Sequence, residues 1–174
     1  MDEKERLNAL ETALKNESAE REFYLKHAEK TNNPLGKAMF KRIAEDELEH
    51  YERLKELHSK WEVQDKWSET IPLKVNNTNI KEVLNNTIRI VDKTVKPDAD
   101  DLEAIKIAVD FEEKGTQFYR QLCNAVTNPR EKEFFELLVM IENEHYLALK
   151  DAEEYFIDPA SWFMKAEHHT LDGG

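Results

Sequence analysis

ELEHY at residues 47–51 returns as ENEHY at residues 142–146, and this repeated Glu-x-x-His-Tyr decides how the whole chain reads. The copies stand 95 positions apart (142 − 47 = 95), and sliding the chain against itself by that offset aligns much more. Glu17 falls on Glu112, Tyr24 on Tyr119, Asn33-Pro34 on Asn128-Pro129 and Phe40 on Phe135, without a gap. Two copies of one helical hairpin therefore account for most of the chain.

Within each copy two periodic segments flank an Asn-Pro turn, Asn32-Asn33-Pro34 and Thr127-Asn128-Pro129. The proline can open the second helix because the first helical position needs no amide hydrogen. Inward positions recur in steps of three and four. They run Leu10, Leu14, Glu17, Arg21, Tyr24 and Ala28 in the first segment, and Phe40, Ile43, Glu47, His50, Leu54 and Trp61 in the second. The third has Ile105, Val109, Glu112, Thr116, Tyr119 and Cys123, and the fourth Phe135, Leu138, Glu142, His145, Leu149 and Phe156. The expected fold is all-α, a four-helix bundle of one domain over residues 1–157. Hairpin one covers 3–61, a long crossover 62–98 carries a short helix over Ile80 to Val95, and hairpin two covers 99–157. Asp158-Pro159 caps a short C-terminal helix through Trp162, Phe163 and Met164, within a terminal segment 158–174 that is expected to be loose from Thr170 onward.

Composition agrees with this reading and narrows the function. Only 4 Gly and 5 Pro interrupt 174 residues of which 36% are charged, which favours long amphipathic helices. A net charge of −12 repels phosphate backbones and anionic lipid, so neither nucleic acid nor a membrane is an expected partner. No apolar run approaches a membrane span, and the charged start at Met1 to Arg6 lacks a signal region, which gives a cytoplasmic expectation. The lone Cys123 can form neither an internal disulfide nor a cysteine metal knuckle, and reads as a small core residue.

Every inner stripe is apolar except near its middle. Measured from Asn33, Glu17 lies 16 residues back and Glu47 and His50 lie 14 and 17 forward, each roughly 21 to 26 Å along its helix. These residues sit at one level, and the duplicate hairpin brings Glu112, Glu142 and His145 to the corresponding one. Four buried carboxylates would each lose several kcal/mol of hydration, so something must neutralise them. Two divalent cations match the charge, and the three-residue spacing of each Glu-x-x-His aims both side chains at one centre. A hard oxygen set with one imidazole per metal suits iron or manganese better than the thiolate sites of structural zinc, although zinc can be loaded. The metal ligands are thus expected to be Glu17, Glu47, His50, Glu112, Glu142 and His145. Glu167-His168-His169 has ligand chemistry but no repeat partner, and reads as a solvated tail.

The pattern resembles the ferritin-like di-iron proteins, whose bundles carry two single Glu and two Glu-x-x-His helices. Within that group the chain is similar to the rubrerythrin family. The resemblance rests on Glu17-Ser18 with Arg21 and Tyr24, on Glu47-Leu48-Glu49-His50 with Arg53-Leu54, and on Glu142-Asn143-Glu144-His145, and covers about Leu7 to Tyr155. It implies that Glu47 and Glu142 bridge two irons, Glu17 and Glu112 are terminal, and His50 and His145 each cap one. The chain departs from the family in two ways. Rubrerythrins proper hold a further iron on four cysteines, so here electrons must come from an external donor such as a rubredoxin-like protein. The family's extra carboxylate, one turn after the third helix's Glu, is here Gly115, while the matching turn of the first helix has Glu20. Glu20 is then either a displaced, exchangeable ligand or a solvent-facing acid. Tyr24 and Tyr119 either orient the ligand carboxylates or simply pack in the core.

The resemblance implies a di-iron oxidoreductase of oxidative-stress defence, a peroxidase turning hydrogen peroxide to water, with dioxygen as the competing oxidant and a homodimer as the working form. An iron-binding or ferroxidase protein of iron storage is the alternative, and an occupied but chemically idle bundle a third.

Overall fold

Both Asn-Pro turns open a helix. Asn33 Oδ1 accepts from the backbone amides of Leu35 and Gly36, and Asn128 Oδ1 accepts from those of Arg130 and Glu131, so each asparagine caps amides that have no partner inside the helix. The computed structural model describes residues 3–64, 74–90 and 98–171. Among them are six helices: α1 (Glu3–Lys30), α2 (Pro34–Gln64), α3 (Ile80–Ile90), α4 (Ala99–Ala125), α5 (Pro129–Ile157) and α6 (Pro159–Leu171).

Helix α1 packs along α2 and α4 along α5, while the contacts between the hairpins, α1 with α4 and α2 with α5, are sparser. The two hairpins run in opposite senses. One apolar cluster gathers Ala28, Leu35 and Phe40 near the first turn with Ala104, Ile105, Ala152 and Tyr155. The other gathers Val126, Phe134 and Phe135 near the second turn with Leu10, Leu57 and Trp61. The polar residues of the inner stripes separate these two cores. Apolar burial at both ends thus holds the helices together around a charged middle layer.

Two boundaries differ from the sequence reading. Helix α2 runs to Gln64, past the expected end of the first hairpin at residue 61, while the expected stretch of α3 beyond Ile90 to Val95 falls on residues 91–97, outside the described part. The C-terminal helix continues to Leu171, past the expected loosening at Thr170, because nothing between Lys165 and Leu171 breaks a helix; residues 172–174 are outside the described part. Asp158 opens α6 by accepting from the Ser161 amide, and Trp162 donates from its indole to Asp151 on α5. Between α2 and α3 the chain is tied down at Asn76, whose backbone and side-chain N–H groups both donate to Glu49. No described helix is long and apolar enough to cross a membrane.

Candidate metal centre

Six side chains from four helices meet in the middle layer. Glu17 comes from α1, Glu47 and His50 from α2, Glu112 from α4, and Glu142 and His145 from α5, and all are at least 98% buried. Two groups of ligand atoms form, each with its atoms within 4.8 Å of one another: Glu17, Glu47, His50 and Glu142, and Glu47, Glu112, Glu142 and His145. Glu47 and Glu142 belong to both. The arrangement is two four-residue sites that share two carboxylates.

Within the first group His50 Nδ1 lies 3.1 Å from Glu17, 3.2 Å from Glu47 and 3.2 Å from Glu142. One ring nitrogen has at most one proton to give and cannot satisfy three carboxylates. In the second group His145 Nδ1 stands 3.5 Å from Glu47 and 3.4 Å from Glu112. Among the described residues Glu47 Oε1, Glu112 Oε2, both Glu142 oxygens and His145 Nδ1 have no hydrogen-bond partner. Buried polar atoms are seldom left so. Facing one another across the shared carboxylates, these atoms fit the coordination demands of two divalent cations, which would satisfy the orphaned atoms and balance their charge.

Without metal the cluster must hold protons. Burial, then the charge of Glu47, raises the Glu17 carboxyl to about 8 against the pull of His50. Burial with Glu47 and Glu112 pushes Glu142 well above the usual carboxylate range. Glu47 moves the other way, because His50 and His145 outweigh the burial that opposes its ionisation. Burial disfavours charge on both histidines, yet the carboxylates around them raise them well above an ordinary imidazole. Arriving dications would displace these protons.

The tyrosines cross between hairpins. Tyr24 on α1 donates its hydroxyl to Glu112 on α4, and Tyr119 on α4 donates to Glu17 on α1. Burial, followed by the carboxylate each one faces, raises both phenols well above their ordinary value and so keeps the donating proton in place. Their hydroxyls therefore orient the two carboxylates that each belong to a single group.

Glu20 is in neither group and keeps part of its surface exposed. Burial, then Glu47, Glu112, Glu17 and Glu142 raise its pKa well above normal, so it lies within the field of the cluster. A Cβ added at Gly115 would come 3.2 Å from Glu142 Oε2, so a shared carboxylate rests against this bare backbone. Cys123 is buried in the core beside Val126 and Phe134. Glu167, His168 and His169 fall in α6, but their side chains are outside the described residues.

Sequence reading missed Asp46. It is 2% exposed, and its Oδ2 lies 2.9 Å from His145 Nε2. Arg42, one turn earlier, forms an ion pair with it, and Thr78, just before α3, donates to it at 2.6 Å. Although burial opposes ionisation of Asp46, its hydrogen bonds with His145 and Thr78 and the Arg42 charge hold its pKa below the ordinary value. One signal was present: at the 95-residue offset Asp46 falls on Ile141, an apolar residue that marks the position as inward.

A family model described as Rubrerythrin matches residues 8–153. No curated protein and no solved structure matches the chain.

Proposed function

The chain belongs to the rubrerythrin family of di-iron carboxylate proteins, and from that premise we propose that it is a peroxide reductase, turning hydrogen peroxide to water with electrons from an external donor. The observation that carries this reading is the pair of ligand groups sharing Glu47 and Glu142. In it, Glu47 and Glu142 would serve both metals, Glu17 and His50 would complete one position, and Glu112 and His145 the other. Two ferrous ions bound there supply the two electrons that cleavage of one O–O bond consumes, with two protons, to give two waters.

The chain's own residues do the rest. Leu14, Ile43, Val109 and Leu138 lie in the apolar cores on either side of the ligand layer and limit access of bulk water. Tyr24 and Tyr119 hold Glu112 and Glu17 in place through their hydroxyl protons. Glu20, raised in pKa by burial and then by the four ligand carboxylates, is the proposed exchangeable ligand in place of the carboxylate that Gly115 cannot supply. The proposed partners are peroxide, with dioxygen as the slower oxidant, a small electron-donor protein, and a second copy of the chain in a homodimer.

To test the reading, the iron-loaded protein is reduced anaerobically and mixed with one equivalent of hydrogen peroxide or of dioxygen. Two irons oxidised per peroxide, faster than with dioxygen, is the expected result. Reoxidation slower with peroxide would overturn it.

One observation favours a second reading. With Gly115 in place of the extra carboxylate, four Glu and two His form the whole set that the two groups contain, as suits a ferroxidase of iron storage. Light scattering separates the two: a large hollow shell supports storage, and a dimer supports the reductase.

A further inference from the structure

On the two-metal reading above, we infer that the two metal positions are unequal: the one built on His145 and Glu112 is tighter and fills first, because Asp46 and Thr78 position His145 while His50 has no such support. The comparison is internal. The two histidines occupy matching places in the duplicated hairpins, and each turns Nδ1 toward the shared carboxylates. They differ at the other ring nitrogen.

His145 Nε2 meets Asp46 at 2.9 Å. A carboxylate acceptor there keeps a proton on Nε2, so that the proton a metal displaces is the one on Nδ1, the nitrogen that faces Glu47 and Glu112. Asp46 has little freedom of its own. Arg42 pairs with it from the preceding turn and Thr78 donates to it from the crossover, so the ring is held by a chain that begins outside both hairpins. His50 Nε2 is buried with no hydrogen-bond partner among the described residues. The residue that would match Asp46 is Ile141, which has no acceptor in its side chain. On its Nε2 side the His50 ring is therefore held by packing alone, and only the carboxylates at Nδ1, which are themselves the ligands, orient it. A hydrogen-bonded imidazole is also the more basic ligand, and loss of such a partner typically weakens metal binding roughly 10- to 100-fold.

The test titrates metal-free protein with cobalt(II), following the visible absorption of the bound ion and using a competing chelator to reach tight affinities. Wild type is expected to bind two ions in resolved steps, the first about 10- to 100-fold tighter. His50→Ala should lose the second step and keep the first. Asp46→Asn should weaken the first step and close most of the gap while moving the second less than about threefold, because only one ring loses its charged partner. Thr78→Val, which touches no ligand, should narrow the gap by about threefold through the lost donor to Asp46. Two equal steps in wild type, or Asp46→Asn weakening both steps alike, would overturn the inference. If Asp46→Asn does not fold by circular dichroism, Thr78→Val decides, and an unchanged gap overturns it. Fewer than two ions per chain would instead overturn the two-metal reading itself.

Discussion

The first hairpin has Glu20, Arg21 and Asp46 where the second has Gly115, Thr116 and Ile141, although Glu17, Tyr24, Glu47 and His50 are matched residue for residue by Glu112, Tyr119, Glu142 and His145. The matched residues all reach the middle layer or donate to a carboxylate in it. Their identity follows from charge: two half-sites that share two carboxylates need the same set from each hairpin. The unmatched residues surround the layer without completing either ligand group. Divergence there puts the carboxylate that supports His145 and a spare acid in the first hairpin, and a bare backbone against Glu142 in the second.

The comparison breaks most clearly at the shared carboxylates. Glu47→Gln or Glu142→Gln removes a ligand from both groups and should cut total metal content below one ion per chain. Glu17→Gln or Glu112→Gln touches one group only and should leave close to one. Native mass spectrometry reads this directly, and two ions retained by a Glu47 variant would refute the shared arrangement. Metal-free Glu142→Gln should also melt higher than metal-free wild type, since it removes a buried acid neither of whose oxygens has a hydrogen-bond partner among the described residues.

Acidity sharpens the comparison next. In the metal-free protein Glu17 stays protonated up to about 8, whereas in the unfolded chain it ionises near 4.5. Between those values the folded state binds more protons than the unfolded one, so raising the pH removes stability. His50 and His145, raised well above 6.5, act in the same sense, since their protons stabilise the folded state and are lost as pH climbs. The melting temperature of the metal-free protein should therefore fall from pH 5 to pH 8, and metal should flatten or reverse the slope by replacing those protons. Glu17→Gln should reduce the slope. A metal-free protein that gains stability over this interval would contradict the buried, protonated cluster.

Much of this was legible before any coordinates. The 95-residue offset located both hairpins, and steps of three and four put Glu17, Glu47, His50, Glu112, Glu142 and His145 on inner faces, because an amphipathic helix cannot bury one stripe without declaring its period. Asp46 was hidden for the opposite reason. It stands at the margin of the inward stripe beside Glu47, in a chain with 37 acidic residues, and apart from the match to Ile141 nothing singles it out, since its partners His145 and Thr78 are distant in sequence.

Gly115 and Glu20 offer a subtler contrast. Gly115→Ala places a methyl group 3.2 Å from Glu142 Oε2, so the shared carboxylate must move and metal affinity should drop about tenfold. Glu20→Gln lies outside both ligand groups and should leave two ions bound. If Glu20 is the exchangeable ligand, that variant slows peroxide-driven reoxidation of the iron by about tenfold at unchanged metal content, as loss of one partner of the site would. An unchanged rate would assign Glu20 to the solvent-facing role and leave Gly115 without a counterpart.

The smallest effect falls on the tyrosines, where the two halves agree. Tyr24→Phe frees Glu112 of one donor and Tyr119→Phe frees Glu17 of one. Each loss is worth about 1 kcal/mol net, or roughly a fivefold weakening of the metal position concerned. Because the bonds cross between hairpins in mirrored fashion, Tyr24→Phe should weaken the tighter cobalt step and Tyr119→Phe the looser one, by similar factors. Equal losses would confine the inequality of the site to Asp46 and its support. A tenfold disparity between the two variants would mean that the asymmetry reaches the hydroxyls as well, and that the tyrosines, despite their matched positions, do not hold their carboxylates equally.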